Sequence, residues 1–460
     1  MKKNLWIWAL AALSIAACTD EDMPTQQQQV VTENDWISPD GQVVVQLSAD
    51  GLPVPSVSMG RAIGKGPIEN TDIVELDSLG IFALNRTGGF EPVRNDNNAI
   101  LLNNVRAKGT DDATLDTTIH KAGDKALKRI RLFSENNTSN TVGSVFYYPI
   151  LPTNNYDFYG YFPRQNTVEY TNDSVKVTFA ATDGSVDIIT GKAEQAPVMQ
   201  ANTLYAGKEW NDEQDDSIKV FNTLSLDGYN SRYIRSIKYH NWLMETNEID
   251  YPAIASYKKQ PFVPNIKFKH KLALLKFYIV ANHKQSGAPE PPYNDRLETT
   301  ELRVFDLTLD SVHTVAQWNV TKDTLLWNVQ GVEQYANLGI HRLDTLDNLV
   351  WSKDTVVIDE VETPKNTMIP AATKEVAQEA GYLLVEPKAG YKVSLCVLAP
   401  KDNEGDAVPQ WQKTTLTIPN TFLAGHKYKV YIQLNAFQEV NVNAQLEDWV
   451  DGDDVFIPVE

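Results

Sequence analysis

The residue with the clearest chemical role in this sequence is Cys18, a thiol placed directly after the small-residue run 13–17 (LSIAA). Before that run come a positively charged N-terminus and an apolar stretch at 5–12. This stretch is much shorter than the roughly 20 apolar residues that span a bilayer. The arrangement predicts a cleavable export signal at 1–17, with the thiol of Cys18 acylated as in a bacterial lipobox. An ordinary signal peptide with a chance cysteine is the alternative.

The second candidate is the peptide bond between Arg61 and Ala62, in a stretch rich in proline and glycine at 49–71. Such a stretch is predicted to be exposed and is a preferred site of proteolytic cleavage. A cut after Arg61 would detach the β-branched run 42–48 (QVVVQLS) together with Cys18. The alternative is that Arg61 is one surface residue among the 41 lysines and arginines.

The other reactive side chains show no pattern of a catalytic or metal site. None of the seven histidines has the spacing of a zinc site, and the sequence has no GxSxG or P-loop motif. His270 lies on the apolar face of a predicted strand and is expected to pack in a core. His426 is expected to bond to the backbone at a turn. A paired-carboxylate hydrolase is not excluded, but no pair stands out. The sequence therefore predicts no enzyme activity, no metal and no cofactor.

The composition narrows the classes of partner. The chain of 460 residues has a formal net charge of −19 at pH 7, which argues against nucleic-acid binding because that function needs a basic face. The length predicts two or three domains, and the hydrophobic content of 42% is enough for packed cores. Once Cys18 is acylated only Cys396 remains, so no intramolecular disulfide is expected. Cys396 itself is expected to be a small buried hydrophobe.

Hydrophobic patterning predicts an all-β protein, because short alternating runs separated by turn residues are typical of a sandwich. The predicted strands are 42–48, 78–85, 144–148, 156–163, 174–180, 265–280, 302–309, 313–319, 349–359, 381–386, 391–398, 413–418, 427–434 and 439–446.

Three local features of this pattern are specific enough to test. In the longest run, 265–280, the apolar face shifts by one residue near Leu274, which predicts a β-bulge or kink. The runs 302–309 and 313–319 are predicted to form a hairpin. Helical signals are few: 373–380 favours two turns, and 231–246 is ambiguous.

Five features in a shared order resemble the fimbrillin family of Bacteroidales, also called type V pilins. They are the lipobox at Cys18, Arg61-Ala62 upstream of 77–83 (DSLGIFA), the aromatic run 156–163 (YDFYGYFP), the segment 187–191 (DIITG) followed by 268–273 (FKHKLA), and the ending from 424–428 (AGHKY) to Trp449. Together they span nearly the whole chain.

The resemblance implies a fold of two transthyretin-like β-sandwich domains in tandem. Applied to this chain, it divides the sequence into a lipoprotein signal peptide at 1–17, an acidic and polar tether at 18–41, an N-terminal domain at 42–330 with a removable first strand within 42–61, and a C-terminal domain at 331–460. The two domains are predicted to join near 330–337.

The resemblance also implies a structural subunit of cell-surface fimbriae, exported as a lipoprotein and held in the outer membrane through Cys18. An arginine-specific protease would cut between Arg61 and Ala62, and a C-terminal strand of another fimbrial subunit would fill the emptied position. The runs 440–446 and 455–459 both alternate, but the second contains a proline, which disfavours full pairing.

The same features leave the role of the subunit open between several alternatives. The presence of Arg61 and of the C-terminal strands favours a stalk-type subunit over an anchor, which would keep its lipid, or a tip. A surface lipoprotein that binds glycans or a host is a further alternative, because the ten tryptophans could stack on sugars.

Overall fold

The computed structural model describes part of the chain, and almost all of that part is β-structure. The described residues are 38–50, 78–91, 98–110, 128–139, 142–150, 154–180, 182–193, 229–231, 233–234, 263–281, 303–327, 329, 334–341, 355–358, 361–364, 374, 376–398, 411–436 and 439–447. The predicted all-β class is confirmed. None of the described segments forms a helix of the length and hydropathy that a membrane crossing requires.

Seven strands of the N-terminal part form a closed barrel. In order around it they are β1 (Leu47–Asp50), β4 (Lys128–Phe133), β3 (Ile100–Thr110), β2 (Leu79–Asn85), β5 (Tyr156–Phe162), β8 (Ile189–Ala193) and β9 (Asn265–His270). The neighbours β1 and β9 run parallel, whereas the other neighbours are antiparallel. Closure leaves no free sheet edge along these strands.

The C-terminal part contains two four-stranded sheets that share one core. The first has the order β17 (Glu379–Val385), β10 (Ala273–Ala281), β20 (Lys427–Ala436) and β21 (Glu439–Glu447). The second has the order β14 (Tyr335–Gly339), β11 (Arg303–His313), β18 (Lys392–Leu398) and β19 (Trp411–Thr417). The inward side chains of both sheets form a single hydrophobic cluster, as expected for a sandwich.

A smaller sheet joins the two halves of the sequence. Its order is β13 (Thr324–Leu326), β12 (Ala316–Asn319), β7 (Val175–Phe179) and β6 (Val168–Tyr170). A separate hairpin consists of β15 (Thr355–Ile358) and β16 (Val361–Pro364).

A hydrophobic cluster lies between the barrel, the small sheet and the sandwich. Strand β2 explains how the barrel takes part, because Leu79 and Ile81 point into the barrel whereas Phe82 and Leu84 point outward into this cluster. Trp318 of the small sheet, fully buried, packs there against Tyr161. Strand β2 is therefore apolar on both faces, and each face is covered by a hydrophobic cluster.

The longest predicted strand, 265–280, is two strands that belong to different sheets. Strand β9 ends at His270 in the barrel, and β10 begins at Ala273 in the sandwich. The chain changes sheets at Lys271 and Leu272, where Gly425 donates its backbone N–H to the Leu272 carbonyl. The apolar face therefore does shift near Leu274, as predicted. The shift marks a change of sheet rather than a bulge within one strand.

The predicted domain limits, 42–330 and 331–460, do not match the pairing of the strands. Strand β10 pairs with β17 and β20, and β11 pairs with β14 and β18, so both belong to the C-terminal sandwich. The predicted hairpin of 302–309 and 313–319 is also wrong. Strand β11 continues to His313, and β12 pairs instead with β7 and β13.

The two predicted helical regions have different outcomes. In the first, 373–380, the described residues form no helix, and β17 begins at Glu379. In the second, Ser231, Tyr233 and Ile234 are helical, with an N–H of Ile234 bonded to the carbonyl of Asn230 at 3.1 Å.

Candidate functional site

The segment 43–50 ends in β1, the strand that closes the barrel and the first strand in the described part of the chain. It is held from both sides along its backbone. The N–H of Val45 donates to the carbonyl of Phe146 at 2.7 Å, and the N–H of Tyr148 donates to the carbonyl of Val43 at 2.9 Å. On the other side, the N–H of Ser48 donates to the carbonyl of Pro264 at 3.0 Å. Residues 47–49 pair with β4, and 48–50 pair with β9.

The side chains of residues 43–49 are buried on both faces. Val43, Val45, Leu47 and Ala49 alternate into the barrel core, as the predicted strand at 42–48 requires, but the strand itself is Leu47–Asp50 and Val44 forms an isolated bridge with Tyr147. The residues between them are buried as well, and the hydroxyl of Ser48 bonds to Oδ1 of Asn265 at 3.1 Å. Burial of a valine or leucine side chain contributes about 1.5–3 kcal/mol, so this segment stabilises the barrel strongly.

The position of the segment in the chain makes it separable. Residues 51–77 follow it in the chain, and β2 begins shortly afterwards at Leu79. Arg61 and Ala62 lie in that connection and outside the described residues, as does Cys18. Because the segment is joined to the barrel strands through this one connection, a single cut there would separate it covalently. Loss of the strand would leave the facing edges of β4 and β9 without their partner.

The C-terminal candidate strand 440–446 lies within β21, at the edge of the first sandwich sheet. It pairs antiparallel with β20 over its whole length, from Lys427 opposite Glu447 to Ala436 opposite Glu439. Ala444 is buried, and Val442 packs partly buried against the sandwich core. The amide of Asn420 donates to the Ala444 carbonyl at 3.0 Å. The other candidate, 455–459, lies outside the described residues.

Two motifs that are far apart in sequence meet at the junction of the barrel and the sandwich. The Nδ1 atom of His270 and Oδ2 of Asp187 lie 2.6 Å apart, with their side chains 7% and 0% exposed. His270 is thus a packed histidine, as predicted. No local pattern singles out Asp187 as its partner, because Asp187 lies just before β8 and 83 positions before His270.

The aromatic motif at 156–163 contacts the same region. A Cβ atom added to Gly160 would lie 2.6 Å from Cζ of Phe268, so the absence of a side chain lets β5 approach the phenyl ring. The hydroxyl of Tyr161 donates to Oδ1 of Asn104 at 2.7 Å. Burial raises the pKa of Tyr161 to about 12, so this phenol stays a neutral hydrogen-bond donor at physiological pH.

The remaining chemical candidates have structural roles. Within the described ranges, no group of three or more His, Cys, Asp or Glu side chains is arranged to hold a metal ion. Nδ1 of His426 lies 2.9 Å from the Ala424 carbonyl, which confirms the predicted backbone hydrogen bond. Burial raises the pKa of the Cys396 thiol, which is half-buried in β18. A raised pKa disfavours the reactive thiolate.

Comparison with known proteins places this chain in no family. No family model matches the sequence, and no curated protein matches it. Among solved structures, a protein of Bacteroides uniformis provisionally described as a cell adhesion protein is 14% identical, with a TM-score of 0.41 over 90% of this chain and 99% of that one. A fimbrial protein of Bacteroides vulgatus is 14% identical, with a TM-score of 0.40 over 81% and 93%. A provisionally described cell adhesion protein of Bacteroides ovatus is 13% identical, with a TM-score of 0.39 over 90% and 100%. These values are too low to transfer a function or a residue assignment.

Proposed function

We propose that the protein is a structural subunit of cell-surface fimbriae that polymerises by donor-strand exchange. The observation that supports this most directly is the separable strand of the barrel, residues 43–50. Residues 43–49 are buried on both faces, and Ser48 and Ala49 pair with both β4 and β9. Its removal would create an apolar slot flanked by unpaired backbone groups, which an extended segment of another subunit satisfies by strand addition.

The chemistry of Cys18, Arg61 and Ala62 completes the proposal. The precursor is exported as a lipoprotein and held at the outer membrane surface through the acylated Cys18. An arginine-specific protease cuts between Arg61 and Ala62, which releases the lipid and the strand together. The lipid is then a temporary anchor. A subunit that keeps Cys18 and the strand would instead serve as the anchor of the fibre.

The donor is a C-terminal strand of the next subunit, and the pattern of residues in β21 supports this choice. Val440, Val442 and Ala444 alternate with polar residues, as Val45, Leu47 and Ala49 do in the barrel strand. Because side chains of a strand alternate between faces, either series presents two aliphatic groups and one methyl group to a core. The barrel and the C-terminal sandwich would correspond to the two transthyretin-like domains in tandem.

The test compares two forms of the protein, one beginning at Thr19 and one beginning at Ala62. We expect the shorter form to polymerise at micromolar concentration, observed by electron microscopy and sedimentation, and the longer form to stay monomeric. The shorter form should also bind a synthetic peptide of residues 439–460. A matched peptide with Val440, Val442 and Ala444 replaced by serine should not bind.

Two results would overturn the proposal. One is a form beginning at Ala62 that neither polymerises nor binds the peptide while its barrel remains folded. The other is mass spectrometry of the protein from cells that finds only the lipidated Cys18 N-terminus, which would exclude the processed subunit and favour the anchor.

A further inference from the structure

An aromatic and polar patch at the edge of the second sandwich sheet has an exposed tyrosine and asparagine beside a buried histidine and a largely buried glutamate. Its residues are Tyr335, Asn337, His313, Glu386 and Lys388, and we refer to them as the Tyr335 patch. Tyr335 is 57% exposed, one of the most exposed large apolar side chains in the described part of the chain. Asn337 is exposed two residues further along β14. Residues two apart in a strand point to the same face, so the ring and the amide lie side by side.

The ring of Tyr335 is held in place from behind. Its centroid lies 4.2 Å from that of the His313 ring, with 34° between the planes. His313 is itself buried, and its Nδ1 is bonded to the carboxylate of Glu386. The Trp327 ring lies 6.2 Å from His313. An exposed tyrosine by itself is ordinary, but a ring fixed by stacking loses little entropy when a ligand covers it.

Polar groups beside the ring are fixed as well. Nζ of Lys388 donates to the Ser311 carbonyl at 3.2 Å and lies 5.9 Å from the Tyr335 ring centroid. The N–H of Ser311 donates to Oδ1 of Asn337 at 3.0 Å, which orients the amide group. The patch therefore combines an exposed tyrosine with a carboxamide and with an ammonium group that also lies 4.7 Å from the Tyr391 ring centroid, and Ser311 of β11 bonds to both polar groups.

This combination matches the chemistry of a pyranose ring. One face of a pyranose carries C–H groups that pack on the electron-rich face of an aromatic ring, and its hydroxyl groups bond to amides and charged side chains. We propose that the Tyr335 patch binds a neutral saccharide, with Tyr335 stacking on the sugar and Asn337 and Lys388 bonding to hydroxyl groups.

The charges favour a neutral ligand over an anionic one. Oε2 of Glu386 lies 3.5 Å from Nζ of Lys388 and offsets its charge. The chain as a whole carries a net charge of −19, so an anionic sugar would be repelled. This binding function goes beyond the proposed assembly and does not depend on it, because the patch lies on the sandwich and not at the strand slot.

The experiment uses saturation-transfer NMR on the chain beginning at Thr19, with lactose and N,N′-diacetylchitobiose as probes. We expect transfer to the protons of one pyranose face, for at least one probe at millimolar concentration. Tyr335→Ala should weaken binding about tenfold, the value of a lost stacking contact, whereas Tyr335→Phe should retain it. Val376→Ala, which alters another exposed apolar residue, is the control and should bind like the parent.

Three results would overturn the proposal. The first is no transfer to either saccharide from the parent protein, and the second is equal binding by Tyr335→Ala with an unchanged circular dichroism spectrum. The third is sedimentation of the parent as a dimer that Tyr335→Ala converts to a monomer without any effect of saccharide, because the patch would then be a contact between copies.

Discussion

The strand 43–50 and the strand β21 are both near an end of the described chain, but they are held in opposite ways. In the first, residues 43–49 are buried on both faces, and its β1 portion lies between β4 and β9 in a closed barrel. The second is paired with β20 alone and lies at a sheet edge, with Ala444 buried and Val442 partly buried. Removing a strand from between two partners leaves a slot between them. Removing an edge strand leaves only a sheet with one strand fewer. The first is therefore suited to be replaced, and the second to be donated.

The two strands are connected through a series of neighbouring strands. The strand 43–50 lies parallel to β9, which continues through Lys271 and Leu272 into β10. Strand β10 lies parallel to β20, and β20 pairs with β21. The Asp187–His270 pair is located where this series passes from the barrel into the sandwich. The difference between the two strands can therefore be tested by substitutions in each strand and at the Asp187–His270 pair.

The largest expected effect comes from truncating the inward side chain of the barrel strand. Leu47→Ala should lower the free energy of unfolding by about 3 kcal/mol, because Leu47 is fully buried and the surrounding barrel cannot collapse onto the cavity. Val442→Ala in β21 should cost about 1 kcal/mol, since that side chain is only partly buried. Urea unfolding measures both values, and equal losses would contradict the distinction between the two strands.

A smaller effect is expected at the link between the two regions. Asp187→Ala removes the acceptor at Nδ1 of the buried His270 and should destabilise the protein by about 2 kcal/mol. Because β9 and β10 meet there, hydrogen exchange should rise in both strands rather than in one. His426→Ala is a suitable control, since its ring is half-buried and its Nδ1 bonds to the carbonyl two residues away. Increased exchange confined to β9 would show that the barrel and sandwich are not coupled at this point.

The smallest effect concerns two buried tyrosines, one in each region. Burial raises the pKa of Tyr148 in the barrel and of Tyr391 in the sandwich well above the usual value near 10. The hydroxyl of Tyr391 donates to the Glu386 carbonyl at 2.9 Å. The buried hydroxyl of Tyr148 has no hydrogen-bond partner among the described residues. At pH 8, Tyr148→Phe should therefore be neutral or stabilising by up to about 1 kcal/mol, and Tyr391→Phe destabilising by about 1 kcal/mol.

The pH dependence of these variants has a defined sign. A pKa raised in the folded state gives stability that is complete below the unfolded value and is lost as the pH rises above it. The parent protein should therefore lose stability above pH 10, by up to about 1.4 kcal/mol per pH unit for each such tyrosine. Either phenylalanine variant should show a smaller loss, measured by urea unfolding at pH 8 and 11. A loss as steep in Tyr148→Phe as in the parent would contradict the role assigned to this phenol.

Local pattern was sufficient to predict most strands but not their partners. The predicted runs 78–85, 391–398 and 427–434 coincide closely with β2, β18 and β20. The runs 302–309 and 313–319 were wrongly paired, because the turn between them resembles a hairpin turn and nothing in the local sequence names β7 as the partner of β12. Strand pairing across the predicted domain limit near 330 was missed for the same reason, since β10 and β11 precede the strands that they pair with.

The candidate site shows a similar division between local and distant information. The alternation of Val43, Val45 and Leu47 was recognisable because it is a local property, but the strand itself runs from Leu47 to Asp50. The burial of Ser48 and its bond to Asn265 were not predictable, because they depend on a residue 217 positions away. The stacking of Tyr335 on His313 likewise needs the register between β11 and β14.

The sequence by itself determined the all-β class and the position of most strands, since these follow from side-chain type and from spacing along a few residues. Acylation of Cys18 and cleavage after Arg61 are predictions from the same kind of local pattern. The tertiary structure alone decided that 43–50 closes a barrel, that β21 is an edge strand, and that Asp187 faces His270. The physical reason is that strand partners and buried pairs are chosen by the total apolar surface that the chain can cover. That choice depends on residues far apart in the sequence.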